Sequence, residues 1–287
     1  MGEGGPSTSG RLPGLAWRLR QDRQLEAVRQ RTALRHEMNV RVLNCATIRP
    51  YIPPIEVATC CLLAESDDGL ILIDTGLGTK DHLEPAKVIR VLKRLSRAFG
   101  SLEETAVTQL AGLGHSPAEV RHIVMTHLHV DHAGGLPDFP DAVVHVFAAE
   151  LETAMSAGAL RGLVYISDHW AHGPKWLVHD GASTTDWFGF RVLPVLENSS
   201  IKVFLVPLPG HTRGHCGVLV GDGNQWLLHC GDAIAMDALR TRPGSIPARL
   251  LGLNFRRLHE LAYHVKEVQL IPAHVRADKL PVLSTAG

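Results

Sequence analysis

Apolar residues in this chain come in short runs, and run after run ends on a polar or ionisable side chain. Val40-Arg41-Val42-Leu43-Asn44-Cys45-Ala46-Thr47-Ile48 alternates as a half-buried strand does, and Ile55 to Ala64 makes another. Asp67-Asp68-Gly69 is tight-turn chemistry leading into Leu70-Ile71-Leu72-Ile73, a run that stops at Asp74-Thr75-Gly76. Ile123-Val124-Met125 predicts a buried strand, and further strands are expected at 142–147, Phe188–Pro194, Val203–Pro207, Cys216–Val220, Trp226–Cys230 and Val268–Ala273. Helical spacing falls between them, over 81–99 (Val88, Val91, Leu92, Leu95), 102–113, 148–157 and 248–265. Ser116-Pro117-Ala118-Glu119 predicts a helix start, with Ser as cap, Pro in the first turn and Glu at the capping-box position. Residues 158–185 have no clear period. Their aromatic and histidine content (Tyr165, His169, Trp170, His172, Trp176, His179) suggests a loop lining a pocket, with Tyr165, His172 and Trp176 as the candidate lining.

The first 38 residues differ from the rest. Residues 1–10 are rich in Gly, Ser and Pro and are expected to be disordered; 11–37 carry many Arg and Gln with scattered apolar residues, which predicts a short amphipathic helix. The domain reading is therefore an N-terminal arm, 1–38, and one large domain, 39–287. A solvated surface helix is the plainer role for the arm, and an anionic partner or a clasp in a homodimer is the alternative.

Charge narrows the partners. Lys plus Arg and Asp plus Glu are 29 each, so the formal charge is zero and nothing favours nucleic acid or a membrane surface. Five cysteines in apolar segments, with no CxxC pair, read as buried thiols in a reducing compartment. With no apolar stretch near the ~20 residues of a membrane span, and no leader-like start, the expected location is the cytoplasm. The expected partner is a small-molecule substrate.

Histidine is the unusual count, at 17. Thr126-His127-Leu128-His129-Val130-Asp131-His132-Ala133-Gly134-Gly135 places four potential metal ligands within six residues, directly after a strand. In extended backbone His127, His129 and Asp131 point one way, and His132 joins them only if the chain turns there. Six residues cannot enclose a tetrahedral ion, so other ligands must come from elsewhere. Other strand ends offer candidates: Asp74; His211 in Pro209-Gly210-His211-Thr212-Arg213-Gly214-His215; Asp232 after Gly231; and His274 after Ala273. Open α/β sheets place their sites where such ends converge.

The ordered set HxHxDH (His127, His129, Asp131, His132), PGHTxGH (His211, His215), GD (Asp232) and AH (His274), preceded by Asp74-Thr75-Gly76, resembles the metallo-β-lactamase superfamily from about residue 39 to 275. The resemblance implies an α/β fold, the four-layered αβ/βα sandwich of two mixed β-sheets with outer helices. It also implies two zinc ions, with iron or manganese as alternatives for this donor set. His127, His129 and His211 would hold one ion, Asp131, His132 and His274 the other, with Asp232 bridging. Asp74 and His215 would brace the ligands. The implied reaction is hydrolysis by a hydroxide between the metals, with Asp131 orienting it and relaying its proton.

Within the superfamily, oxygen-reducing diiron members carry Glu at the position of His129, and true β-lactamases generally lack the bridging acid at Asp232. Glyoxalase II adds a C-terminal helical domain, for which the 13 residues after His274 leave no room. RNA-processing members would be expected to show a basic exosite. Acyl-homoserine-lactonase-like hydrolases match in size and motif order, except that their Tyr three residues after the bridging acid is Ala235 here. The expectation is a small-molecule ester or lactone hydrolase, with thioester or phosphotriester hydrolysis, or a non-catalytic metal-loaded binding protein, as alternatives.

Overall fold

The computed structural model describes residues 39–156, 164–234 and 253–276, with Met1 and Leu280. The chain divides into Met1–Asn39 and Val40–Gly287, and the expected arm lies outside the described residues. β1 (Val40–Pro50) pairs antiparallel with β2 (Val57–Ser66), which turns into β3 (Gly69–Ile73). Gly69 closes that turn at φ 118°, a conformation that favours glycine. α1 (Thr79–Leu83), α2 (Lys87–Arg94), β4 (Ser96–Phe99) and α3 (Ala106–Gly112) lead to β5 (Val120–Val124), which returns parallel to β3. A short α4 (Val130–Ala133), β6 (Val143–Phe147), α5 (Ala148–Met155) and β7 (Lys175–His179) complete a seven-stranded sheet of order β4-β1-β2-β3-β5-β6-β7.

The second sheet holds β8 (Thr185–Trp187), β9 (Phe190–Leu196), β10 (Lys202–Pro207), β11 (Cys216–Gly221), β12 (Trp226–Gly231) and β13 (Val268–Pro272). Its order is β13-β12-β11-β10-β9-β8, and only β12 and β13 run parallel. Both sheets are thus mixed or antiparallel in part, as the sandwich requires.

β2 and β3 read as nearly unbroken apolar runs because both of their faces are covered. One face joins Leu63, Leu70 and Leu72 to Ile123, Leu110 of α3, Leu136 and Phe139. Across the sandwich, the Cys60 amide donates to the Ala273 carbonyl at 2.8 Å and the His229 ring donates to the Cys60 carbonyl at 3.0 Å. α6 (Leu253–His264) covers the outside of the second sheet, with Leu258 and Leu261 packed against Val206, Leu228 and Leu270. Each such leucine contributes about 1.5–3 kcal/mol by leaving water. All five cysteines are free and buried. Among the described residues no helix is long and apolar enough to cross a membrane.

Three local expectations fail. The helix expected over 81–99 breaks at Glu84-Pro85, because proline removes a donor and restricts the residue before it, and its tail 96–99 is strand β4 along the open edge of β1. Ser116–Glu119 does form the capping box, but it caps a single 3-10 turn that runs directly into β5. Within 158–185, β7 and the start of β8 are strands. β7 is an edge strand that leaves Leu177 and Val178 half exposed, so it lacks the inside–outside alternation of a covered strand.

Candidate metal centre

β5 ends at Val124, and the chain then leaves the sheet through Thr126–His129. His129 caps α4, where the amides of His132 and Ala133 both donate to its carbonyl, at 3.0 and 2.9 Å. That single helical turn brings His132 onto the same side as His127. Their ring centroids lie 4.0 Å apart, and His127 is 4.6 Å from His129 and 4.8 Å from His211. Three groups of donor atoms, each within 4.8 Å, result: His127, His129 and His211; His127, His132 and Asp232; and Asp131, His132 and His274.

Hydrogen bonds fix which ring nitrogens face the centre. Asp74, fully buried in the left-handed region at φ 56°, accepts the Thr126 amide at 2.8 Å, the Thr126 hydroxyl at 2.7 Å and His132 Nδ1–H at 2.8 Å. The Thr126 hydroxyl, its proton given to Asp74, accepts His127 Nδ1–H at 3.0 Å. His274 Nδ1–H donates to the Ala58 carbonyl at 2.9 Å. The Nε2 atoms of His127, His132 and His274 therefore point inward. Asp232 meets two of them and His211: its carboxylate lies 3.2 Å from His132, 3.2 Å from His211 and 3.0 Å from His274. Asp131 accepts the Thr59 hydroxyl at 3.1 Å and stands 3.7 Å from His132 and 3.9 Å from His274.

His215 sits apart in role. Its Nδ1–H donates to the Leu208 carbonyl at 3.1 Å and its Nε2 accepts the Asp232 amide at 3.0 Å, so both nitrogens are spent on aiming Asp232. Gly231 makes that approach possible: it is left-handed at φ 51°, and a Cβ there would lie 2.4 Å from His215 Nε2.

The electrostatics divide the cluster. Burial pushes the pKa of His127 well below the ordinary imidazole value, and burial with His211 and His132 nearby lowers that of His129 to about 4. Both rings offer neutral lone pairs at pH 7. Burial also disfavours charge on His132 and His274, yet facing carboxylates outweigh it and raise both. This half of the cluster attracts a cation, be it a proton or a metal ion. The chemistry of the donor set fits a metal on one further count. His127 Nε2, His132 Nε2 and Asp232 Oδ1 are buried without any hydrogen-bond partner of acceptable geometry, the last two standing 3.2 Å apart. Buried polar atoms are normally satisfied, and a shared cation satisfies all three.

The candidate pocket residues scatter. The Tyr165 ring lies edge-on to His129, 4.8 Å between centroids, and its hydroxyl donates to buried Glu150 at 3.0 Å. Trp176 packs, half-buried, against the core on the outer face of the first sheet. His172 is exposed in the turn before β7, and no metal-type group of the described residues includes it. Ala235 lies outside the described residues. Thr126, Thr59 and Glu150 carry no local signal: each looks like an ordinary polar residue until its distant partners are known.

The sequence profile of the metallo-beta-lactamase superfamily matches residues 55–263. The chain belongs to that superfamily. Among curated members, a probable metallo-hydrolase of Mycobacterium tuberculosis is 45% identical over 199 residues, 68% of this chain and 62% of that protein. The chain thus spans less than two thirds of that relative. The N-acyl homoserine lactonase AttM of Rhizobium johnstonii is 35% identical over 121 residues, 41% of this chain and 42% of that one. Among solved structures, the B. thuringiensis AiiA mutant with N-decanoyl-L-homoserine at its active site superposes with a TM-score of 0.58 at 19% identity, over 82% of this chain and 92% of that one. AidC, a dizinc quorum-quenching lactonase, superposes at 0.51 with 19% identity, over 77% and 73%. At such identities the likeness concerns the metallo-β-lactamase fold itself.

Proposed function

We propose that this superfamily member is a dinuclear metal-dependent hydrolase that cleaves an ester or lactone bond of a small molecule. The carrying observation is the set of buried, unpartnered donor atoms on His127, His132 and Asp232, flanked on one side by His129 and His211 and on the other by Asp131 and His274. His127, His129 and His211 would hold one ion, Asp131, His132 and His274 the second, and Asp232 both. Two bound zinc ions would supply Lewis acidity to the scissile carbonyl and lower the pKa of a water to about 7.

The chain's own residues supply the rest. Asp131 is partly exposed, and its Oδ2 is oriented by the Thr59 hydroxyl. It takes the proton of the attacking water and passes it to the leaving oxygen. His129 and His211 form the open side of the centre, where His211 is one-third exposed and a substrate carbonyl can approach. Lactone or ester cleavage is favoured over other hydrolyses by the named activity of AttM, whose match covers 121 residues of this chain. Metal analysis of the purified chain, with turnover on panels of p-nitrophenyl esters, lactones, thioesters and organophosphates, tests the reading. Two metal equivalents with ester or lactone turnover support it. Two equivalents with no turnover in any class mark a metal-loaded binding protein, and no bound metal overturns the proposal.

A further inference from the structure

Glu150 is the buried acid that the site has not used. It is 1% exposed at the third position of α5, and three hydrogen bonds reach its carboxylate from three separate segments. The Leu128 amide donates to Oε1 at 2.9 Å, the Tyr165 hydroxyl to Oε1 at 3.0 Å, and the Thr212 hydroxyl to Oε2 at 2.5 Å. Leu128 lies between His127 and His129, Thr212 follows His211, and the Tyr165 ring walls His129. The turn after His211 also rests on the start of α5, where a Cβ on Gly214 would lie 2.0 Å from the Glu150 amide nitrogen. One carboxylate thus ties together the two segments that bring His129 Nδ1 and His211 Nε2 to 2.9 Å.

Asp74 supports the other half directly and this one through Thr126. It accepts from Thr126, which orients His127, and directly from His132. Glu150 makes no contact of this kind with Asp131, His132 or His274, and Asp74 makes none with His129 or His211, among the bonds the described residues form. Glu150 thus serves one half, whereas Asp74 reaches both, through His132 and through Thr126 and His127. A buried carboxylate is costly unless its acceptors are filled, so such a residue holds its donors in fixed places rather than loosely.

We propose that Glu150 is a positioning residue for the His127–His129–His211 half of the centre alone, so that its loss weakens one metal ion and spares the other. The inference rests on the dinuclear reading above. Metal-stripped full-length protein is titrated with zinc against a chromophoric chelator, and with cobalt(II) followed by its visible spectrum. His211→Ala and His274→Ala identify which binding step belongs to which half. Glu150→Ala is expected to weaken the His211-dependent step by about 10–100-fold, the usual cost of removing a group that orients a metal ligand. The His274-dependent step should stay within about two-fold, because among the described residues Glu150 makes no hydrogen bond to Asp131, His132 or His274. Glu150→Gln, which still accepts from Leu128, should recover part of the loss, and Asp74→Asn should weaken both steps, because Asp74 reaches His132 directly and His127 through Thr126.

A residue that merely stabilised the fold would shift the melting temperature without favouring one step, so equal weakening of both steps overturns the proposal, as does no weakening of either. Should Glu150→Ala fail to fold, Tyr165→Phe and Thr212→Val each remove one arm of the same network. Unchanged His211-dependent affinity in both would overturn it equally. Wild-type protein that binds no metal refutes the dinuclear reading itself, a result distinct from two normal sites that ignore Glu150.

Discussion

Three histidines outside the metal centre form a hydrogen-bonded ladder across the first sheet, and they contribute to how the fold responds to acid. His122 on β5, His145 on β6 and His179 on β7 meet ring to ring: His122 Nδ1 is 3.0 Å from His145 Nε2, and His145 Nδ1 is 3.1 Å from His179 Nε2. Each nitrogen–nitrogen junction needs one proton and no more. Three neutral rings carry three protons, two for the junctions and one on an outer nitrogen. One added proton can occupy the other outer nitrogen, beside Asp68 and Arg121 at the His122 end or Asp180 at the His179 end. A second must set two N–H groups against each other. His145, in the middle and 2% exposed, is the ring that cannot charge: burial first, then its two neighbours, push its pKa from 6.5 to about 3.

The sign follows from linkage. The unfolded chain takes up this proton below about pH 6.5 and the folded one only near pH 3, so the stability is complete above 6.5 and drains as the pH falls through that window. At about pH 4.5 the loss from His145 alone is about 3 kcal/mol, two pH units at about 1.4 kcal/mol each. His122 and His179 are lowered too, chiefly by burial, and add in the same direction. His145→Leu removes the titrating ring. It forfeits two hydrogen bonds of about 1 kcal/mol each, partly offset by a buried apolar side chain, so its stability near pH 7 is not diagnostic. The slope is. Urea unfolding of both proteins from about pH 7 to 4.5 should show the wild-type advantage shrinking or reversing by about 3 kcal/mol, and the difference between the two curves cancels the titrating groups outside the ladder, metal ligands included. Parallel curves, within about 0.5 kcal/mol over that range, would refute the ladder as the seat of the effect.

The remaining predictions concern the site and its surroundings. Asp232→Ala should lose metal and hydrolysis together, because its carboxylate stands within 3.2 Å of His132, His211 and His274; unchanged metal content would undo its bridging role. His172→Ala should leave metal content intact, keep stability within about 0.5 kcal/mol and change substrate preference at most, as expected of an exposed side chain. Trp176→Ala should instead cost about 2 kcal/mol in denaturant with no change in substrate preference, since the ring packs on the core. Gly231→Ala should lower metal affinity as well as stability, since its Cβ would push His215 off the Asp232 amide; unaltered affinity would show that His215 does not aim Asp232.

All seven proposed ligands are legible in the sequence because each ends an apolar run or lies one short turn beyond it, and strand ends are where an α/β sandwich opens to solvent. Even His132, misdirected by a purely extended backbone, is recovered once α4 begins at Val130. The strands that pass unseen, β4, β7 and β8, are edges: each has a neighbour on one side only, so burial does not impress a period on its residues. Glu150 is hidden for a different reason. Its partners stand 22, 15 and 62 positions away, and within α5 it looks like any acid in the first turn of a helix. Asp74 shares that dependence on distance, its partners lying 52 and 58 positions off, yet it is visible because it ends the run of β3. Ligands are local punctuation in a chain, whereas the acids that aim them are defined by what folds against them. The asymmetry between Asp74 and Glu150 is therefore one of detection. In the folded protein the two play matching parts, each a buried carboxylate gathering donors from segments that bear ligands.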